Sequence, residues 1–175
     1  MEQRIVYCRF DTAIGPMLAA ESPMGLCRLC LPGESEGFFD WAAKKYPGAV
    51  VEEGDSELLR STRQQLEEYL SGARKAFSVT LDLKGTVFQR RVWHILMQIP
   101  YGGTASYKDV AVTAGSPAAV RAVGQANNRN PVPIIVPCHR VVGSDGKLVG
   151  YGGGLDIKRR LLELEGIKVR KESII

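Results

Sequence analysis

The sequence predicts an α+β protein, with a small antiparallel sheet and helices in its first half and a mostly helical second half. Two observations support this fold class. Before residue 32, short segments typical of strands alternate with turns that contain glycine and proline. From residue 86 to about residue 130, apolar side chains recur at the three- and four-residue spacing of helices. We therefore expect a structural domain with a linker at residues 1–85 and a functional domain at residues 86–175.

The first half is expected to hold three strands in a meander, then two helices and an extended linker. No segment of it brings a nucleophile, a base and an orienting group together, so its predicted role is structural. The predicted strands cover residues 4–10, 16–21 and 25–31, the helices cover residues 38–46 and 56–70, and the linker covers residues 73–85.

Helix start signals organise the second half. Thr86 is the predicted N-cap of a helix that extends to about residue 98. Ser106 and Asp109 have the spacing of a capping box, which predicts a short helix to residue 114. Ser116, followed by a proline, predicts a third helix that continues toward residue 130. Two short helices joined by a glycine-containing turn are typical of a helix-turn-helix, in which Arg121 would face DNA. The alternative is a plain helical hairpin with Arg121 in solvent.

The charge distribution favours a polyanionic partner for the second half. The formal net charge is +4. Residues 1–85 contain 10 Lys and Arg against 13 Asp and Glu, whereas residues 86–175 contain 13 against 6. A basic domain of this kind is typical of nucleic-acid binding, although many basic domains bind none.

Composition and cysteine usage indicate an intracellular protein. No apolar run approaches the roughly 20 residues that span a bilayer, and the N-terminus lacks a signal-peptide core. Four cysteines at irregular positions do not form a disulfide framework, so we expect a reducing, cytoplasmic location. Cys27 and Cys30 have C-x-x-C spacing, and Cys8 with His94 could complete four zinc ligands. Packed free cysteines are the preferred interpretation, and no metal is expected.

The most informative stretch surrounds Cys138. The apolar run at residues 132–136 predicts a short buried strand that ends at Pro137. His139 and Arg140 follow, and a positive field there would lower the thiol pKa from its ordinary value of about 8.5. The alternative is a buried structural cysteine with two solvated polar neighbours.

A glycine-rich loop and a closing helix follow the cysteine. Residues 150–154 contain four glycines around Tyr151, so the backbone can approach a ligand closely. The closing helix is predicted at residues 156–165, with Lys158, Arg159 and Arg160 as a solvated cationic edge and Glu165 in its last turn.

This combination of motifs resembles the O6-alkylguanine-DNA alkyltransferase family. The motifs are Pro-Cys-His-Arg at 137–140, Asn-Pro-Val-Pro at 130–133, Tyr-x-Gly-Gly at 151–154, Leu-Leu-x-x-Glu at 161–165, Ser-Tyr at 106–107 and Arg-Ala-Val-Gly at 121–124. The likeness is dense over residues 86–167 and looser before them. It implies a ribonuclease H-like first domain, and a second domain with a helix-turn-helix and an active-site loop.

The resemblance also implies the reaction, a direct and irreversible repair without a cofactor. Cys138 would take the alkyl group from O6-alkylguanine, and from O4-alkylthymine, so that each molecule reacts once. His139 would deprotonate Cys138 through a water, and Glu165 would orient the imidazole. Ser22 stands where the family's zinc-binding members have a ligand, which argues against structural zinc.

Substrate and DNA contacts are implied for further residues. Tyr107 would donate to the purine N3 and the backbone N–H of Gly152 to O6, while carbonyls near Cys138 and Val141 would select guanine. Tyr151 and Asn130 complete the implied substrate site. A monomer would bind duplex DNA through the minor groove and flip the base, in the nucleoid or, in a eukaryote, the nucleus. The DNA contacts would come from Ser106, Arg121, Ala122, Asn127 and Arg129.

Two other functions remain open from sequence alone. A non-catalytic, alkyltransferase-like protein would bind the lesion and flag it for another pathway, but such relatives lack the nucleophile. A cysteine hydrolase that uses Cys138 and His139 would turn over many times.

Overall fold

The computed structural model describes residues 3–175, which divide into two compact units with the boundary between Lys84 and Gly85. The first unit is built on a four-stranded sheet with the strand order β3-β2-β1-β4. Its elements are β1 (Arg4–Thr12), β2 (Gly15–Ser22), β3 (Gly25–Cys30), α1 (Phe38–Lys45), β4 (Val50–Glu53) and α2 (Glu57–Leu70).

The sheet is mixed, whereas the sequence predicts an antiparallel one. β1, β2 and β3 form the expected antiparallel meander, but β4 pairs parallel with β1, from Arg4 opposite Val50 to Tyr7 opposite Glu53. β4 has only four residues between two helices, too few for a clear alternation of apolar and polar residues, so the sequence does not predict it. Ile5, Leu18 and Phe38 are fully buried in the core between the sheet and α1.

The segment after α2 packs against β3. The Leu26 N–H donates to the Thr80 carbonyl at 2.8 Å, and the Asp82 N–H donates to the Leu26 carbonyl at 2.9 Å. Gly25 has φ +144°, and a Cβ there would lie 2.7 Å from the Thr80 oxygen, so only glycine fits this approach. The predicted linker is therefore pinned to the sheet by its backbone.

Cys8, Cys27 and Cys30 are buried in the first unit, and none of the described cysteines forms a disulfide. Burial raises the pKa of Cys27 to about 12. Ser22 and Tyr46 both donate to one oxygen of Asp82, at 2.6 and 2.8 Å. Within residues 3–175, no three His, Cys, Asp or Glu side chains come together as a metal site would require.

The second unit is mostly helical, as predicted. Thr86 and Ser106 cap α3 and α4, each in a capping box with the residue three positions on. α5 begins at Val120 with Ala119 as its N-cap, so the predicted cap at Ser116 is wrong; Ser116 instead lies in the turn before the helix. The elements are α3 (Val87–Met97), β5 (Ala105–Ser106), α4 (Tyr107–Thr113), α5 (Val120–Asn128), β6 (Val141–Val142), α6 (Leu155–Leu164), β7 (Val169–Arg170) and β8 (Ser173–Ile174).

Two links position the helices of this unit. The indole N–H of the buried Trp93 on α3 donates to the Ala126 carbonyl on α5 at 2.8 Å. β5 pairs parallel with β6, which sets Ala105 opposite Val141 and brings the start of α4 beside the residues that follow Cys138. Within the described residues, none of the helices is long and apolar enough to cross a bilayer.

Candidate active site

The segment before Cys138 is buried but is not the strand that the sequence predicts. The Val136 N–H donates to the Val132 carbonyl at 2.9 Å, and Ile134 between them has φ +74°, so the chain turns tightly. Residues 138–140 then form one turn of 3₁₀-helix. Prolines at 131, 133 and 137 remove three backbone donors that strand pairing would need, and this explains the failed prediction.

Two asparagines join the end of α5 to this turn. The Asn130 amide donates to the Val136 carbonyl at 2.7 Å, and its oxygen accepts from the Val132 N–H at 3.0 Å. The Asn127 amide donates to the Cys138 carbonyl at 3.4 Å. Asn127 is only 3% exposed, so the expectation that it contacts DNA is corrected: its side chain supports the thiol-bearing turn from inside.

A buried imidazole and carboxylate lie beside the thiol. Cys138 is 4% exposed, and His139, the next residue, is fully buried. The His139 Nε2 lies 2.9 Å from Glu165 Oε1, and both side chains are shielded from solvent. Because a carboxylate only accepts, Nε2 carries the hydrogen in this contact and Nδ1 is the basic nitrogen of the neutral ring.

Arg140 fixes the carboxylate from a second side. Its Nε and Nη2 donate to Glu165 at 3.0 and 2.8 Å, and its Nη1 donates to the Ile99 carbonyl at 2.6 Å. The Gly102 N–H donates at 3.2 Å to Oε2, the same carboxylate oxygen that accepts from the Arg140 Nε. Glu165 caps the C-terminus of α6, where the helix dipole disfavours an anion, and the guanidinium offsets that cost.

The electrostatics keep His139 neutral. Complete burial lowers its pKa, and this effect outweighs the Glu165 hydrogen bond and charge, which raise it; the Arg140 and Lys158 charges lower it further. A neutral imidazole is the form that can accept a proton from a thiol.

Tyr107, Val149 and Lys158 form a second hydrogen-bonded group near Cys138. The Tyr107 hydroxyl donates to the Val149 carbonyl at 2.9 Å. Burial, followed by the charge of Cys138, raises the pKa of Tyr107 to about 12, so its hydroxyl remains a donor at neutral pH. Lys158 is fully buried, and its ammonium donates to the carbonyls of Val141 and Val149 at 2.6 and 3.0 Å. The prediction of a solvated Lys158 is wrong, whereas its neighbours Arg159 and Arg160 are exposed.

The glycine loop (residues 150–154) is mostly exposed. Gly150 and Gly152 are open to solvent, and Tyr151 is half-buried. Gly150 has φ +50° and Gly154 φ +91°, so the loop turns at both ends. Its backbone is therefore accessible to a ligand. Donation from the Gly152 N–H to the purine O6 stays a prediction.

The predicted DNA-facing residues, apart from Asn127, lie at the surface of α4 and α5. Arg121 and Ala122 are exposed in the first turn of α5, and Arg129 is exposed at its C-terminus. Ser106 is half-buried as the cap of α4. Sequence reasoning missed the structural roles of Arg140 and Lys158. For Lys158 a signal existed, because it precedes the buried Leu161 and Leu162 by three and four residues, the spacing of one helix face.

A helix pair with an exposed arginine beside a buried thiol, imidazole and carboxylate defines a DNA-binding protein with a reactive cysteine. Comparison of the chain with protein-family models identifies the family. The ribonuclease-like domain of 6-O-methylguanine DNA methyltransferase matches residues 5–83, and the DNA-binding domain of the same family matches residues 87–167. The chain belongs to the 6-O-methylguanine DNA methyltransferase family, which confirms the resemblance, and residues 87–167 are its DNA-binding domain.

Individual relatives agree with this assignment. The methylated-DNA–protein-cysteine methyltransferase of Methanosarcina acetivorans is 47% identical over 161 residues, which cover 91% of this chain and 97% of the relative. The constitutive Bacillus subtilis protein of the same name is 44% identical, with 95% and 98% covered. The crystal structure of Mycobacterium tuberculosis OGT in complex with DNA has a TM-score of 0.79 at 43% identity, covering 91% of this chain and 92% of that one. The α+β fold is confirmed, and the chain is a repair methyltransferase that moves methyl groups from alkylated DNA to a protein cysteine.

Proposed function

We propose that Cys138 is the acceptor cysteine, and that it removes alkyl groups from O6-alkylguanine, and from O4-alkylthymine, in duplex DNA. Each molecule would react once, because the thioether formed at Cys138 does not readily give up its alkyl group, and residues 85–175 contain no second cysteine. The observation that carries the proposal is the buried array of Cys138, His139 and Glu165 within the DNA-binding unit. No cofactor is needed for this displacement.

The neutral imidazole is suited to activate the thiol. His139 would take the Cys138 proton through a water, while Glu165, held by Arg140, stabilises the imidazolium that forms. The sulfur then attacks the alkyl carbon in line, forming the S–C bond as the C–O6 bond breaks. The electron pair of that bond goes to the purine, which leaves as guanine after protonation.

Charge that develops on the purine requires donors. Tyr107 would donate to N3, which requires its hydroxyl to leave the Val149 carbonyl. The Gly152 N–H would donate to O6, in the loop that also carries Tyr151. The Cys138 and Val141 carbonyls would accept from the exocyclic amine. The Val141 carbonyl already accepts from Lys158, and the Cys138 carbonyl accepts from the Val141 N–H and from the Asn127 amide, whose longer contact at 3.4 Å would have to give way to the substrate.

The burial of Cys138 favours base flipping. A thiol that is 4% exposed cannot reach a stacked base, so the nucleotide must leave the helix at a cost of a few kcal/mol. Arg121 would fill the vacated space, and Ala122 beside it allows close approach in the minor groove. Ser106 and Arg129 would contact the flanking backbone. We infer that the protein acts as a monomer at the chromosome, in the cytoplasm with the nucleoid or, in a eukaryote, in the nucleus.

A stoichiometric transfer assay tests the proposal. Duplex DNA with labelled O6-methylguanine is incubated with the protein, and label per chain is counted. Transfer is expected to saturate near one label per chain, and peptide mass analysis is expected to find it on Cys138. Cys138→Ala should bind DNA without transfer, whereas Cys30→Ala, which removes a buried thiol of the first unit, should transfer normally.

The same assay separates the alternative functions. A lesion-binding protein predicts binding without label, and a cysteine hydrolase predicts release of many product molecules per chain. Label on a cysteine other than Cys138 would overturn the assignment of the acceptor.

A further inference from the structure

Lys158 is a buried charge to which the proposed mechanism gives no role. Its side chain lies on α6 with no exposed surface. The ammonium donates to the carbonyls of Val141, Val149 and Gly150, at 2.6, 3.0 and 3.5 Å. A buried ammonium is costly unless its hydrogen bonds are satisfied, and here three backbone oxygens meet that requirement.

These carbonyls belong to two separate segments of the chain. Val141 directly follows the turn that carries Cys138 and pairs with Ala105 in β5. Val149 directly precedes the glycine loop and Gly150 is its first residue, and both are exposed apart from these contacts. Lys158 is therefore the side chain that ties the entrance of the loop to the backbone beside the thiol.

Tyr107 shares one of these acceptors. Its hydroxyl donates to the Val149 carbonyl, the same oxygen that accepts from Lys158. Under the proposed function this hydroxyl leaves to donate to the purine. The Lys158 hydrogen bond then continues to hold Val149, so the loop keeps its position while the tyrosine changes partner.

The charge of Lys158 also acts on the reacting groups. Burial lowers its pKa to about 8, and the charge of Cys138 counteracts this by raising it. The interaction is reciprocal, so an ammonium at Lys158 favours the thiolate. The same charge lowers the pKa of His139, and the Tyr107 ring lies 6.0 Å from the ammonium. These three groups are the titratable side chains that interact with Lys158 from the turn and from α4.

We propose that Lys158 is a positioning residue for the transfer reaction, which holds the glycine loop against the thiol-bearing turn and stabilises the Cys138 thiolate by its charge. The proposal deepens the proposed function and rests on it for the reaction itself. Its two physical consequences, thiolate stabilisation and loop protection, are measurable without any DNA.

Carboxamidomethylation by iodoacetamide reports the thiolate. The rate at Cys138 is followed by peptide mass analysis from pH 6 to 9.5 in the full chain, which separates it from the other three cysteines. Lys158→Met removes the charge and keeps a long side chain. It is expected to slow the reaction about tenfold at pH 7 and to move the midpoint of the profile to higher pH, as loss of an adjacent opposite charge does. The control Arg159→Met, at the exposed neighbouring position, should match the wild type.

Hydrogen exchange reports the loop. Amides of residues 149–154 are expected to exchange at least tenfold faster in Lys158→Met than in Arg159→Met, relative to amides in α3. In the wild type, loop protection corrected for intrinsic exchange should rise as the pH rises above about 8, because an opened loop exposes Lys158 to water, where it binds its proton more tightly than in the closed site. This second measurement needs no variant, so it decides the question even if Lys158→Met does not fold.

A Lys158→Met iodoacetamide profile superimposable on the wild type overturns the proposal, and so does pH-independent loop protection in the wild type. Transfer from O6-methylguanine DNA is measured in parallel and is expected to slow in Lys158→Met. If the wild-type chain transfers nothing, the proposed function fails, while the iodoacetamide and exchange results still decide the role of Lys158.

Discussion

The burial of Lys158 has a thermodynamic consequence that depends on pH. Its pKa falls from about 10.5 in the unfolded chain to about 8 in the fold. Between these values the unfolded chain binds more protons, so stability rises with pH across this window and is lost as the pH falls toward 8. At about 1.4 kcal/mol per pKa unit, the full difference is about 3 kcal/mol.

The difference in unfolding free energy between the wild type and Lys158→Met is expected to depend on pH. The unfolding free energy of the wild type, minus that of Lys158→Met, should increase by about 2 kcal/mol from pH 8 to pH 9.5. Urea unfolding at both pH values measures it. Arg159→Met serves as the control, because it removes an exposed positive charge from the neighbouring position. A difference in unfolding free energy that does not change with pH would contradict a depressed pKa at Lys158.

Glu165 is the second residue whose substitution has a defined cost. Glu165→Gln leaves the buried Arg140 guanidinium without its countercharge, so we expect a loss of about 3–5 kcal/mol in unfolding free energy. Transfer should slow as well, because the His139 Nε2–H loses its carboxylate acceptor. Glu163→Gln changes an exposed carboxylate two residues earlier and should alter neither quantity. Equal stability of the two variants would show that the Glu165–Arg140 pair adds nothing.

At the residue scale, the sequence motifs predicted that Glu165 orients His139, but they did not predict the buried cations that support the site. Cys138, His139 and Glu165 were identified from spacing and family resemblance, and the last two do form a hydrogen bond. Lys158 was expected in solvent, because charged side chains are rarely buried without a partner, and Arg140 was expected only as a cation beside the thiol. Their partners, a carboxylate 25 residues away and carbonyls 8 to 17 residues away, are visible only in three dimensions.

At the scale of elements, local chemistry predicted helix starts well where a capping side chain was present. Thr86 and Ser106 form the expected capping boxes. The start of α5 was misplaced because its N-cap, Ala119, makes no side-chain cap hydrogen bond. The apolar composition of residues 132–136 predicts a strand, but Pro133 within the run, the prolines that flank it and the Asn130 hydrogen bonds impose a turn.

The exposed first turn of α5 supports a prediction about Arg121. Arg121→Ala should slow transfer on duplex DNA by about tenfold or more, because the flipped state loses the side chain that would replace the base. The reaction with free O6-benzylguanine, which needs no flipping, should be nearly unchanged. Both rates come from single-turnover measurements of Cys138 alkylation.

A matched control separates flipping from charge. Arg90→Ala removes an equally exposed arginine from α3, outside the helix pair. It should change duplex and free-base rates little. If Arg121→Ala slows both substrates equally, Arg121 acts on the site itself, and its proposed role in flipping is wrong.

At the scale of the whole molecule, net charge is a poor guide until burial is known. The second half carries 13 basic side chains, but Arg140 and Lys158 are 7% and 0% exposed and serve internal acceptors. Only exposed cations can neutralise phosphates and release counterions. The salt dependence of DNA binding therefore distinguishes the two kinds of charge.

Binding to undamaged duplex DNA should weaken as salt rises from 50 to 200 mM, on the order of a hundredfold for about four phosphate contacts. Arg129→Ala, which removes an exposed cation at the end of α5, should reduce the slope of log K against log salt by about 1. Lys158→Met removes the same formal charge from the interior and should leave that slope unchanged, even where the affinity shifts. Fluorescence anisotropy over a salt series measures both slopes. A charge held by backbone carbonyls inside the protein releases no counterion from DNA. Equal reductions of the slope in the two variants would therefore mean that the Lys158 ammonium reaches the phosphates, which would contradict its buried position.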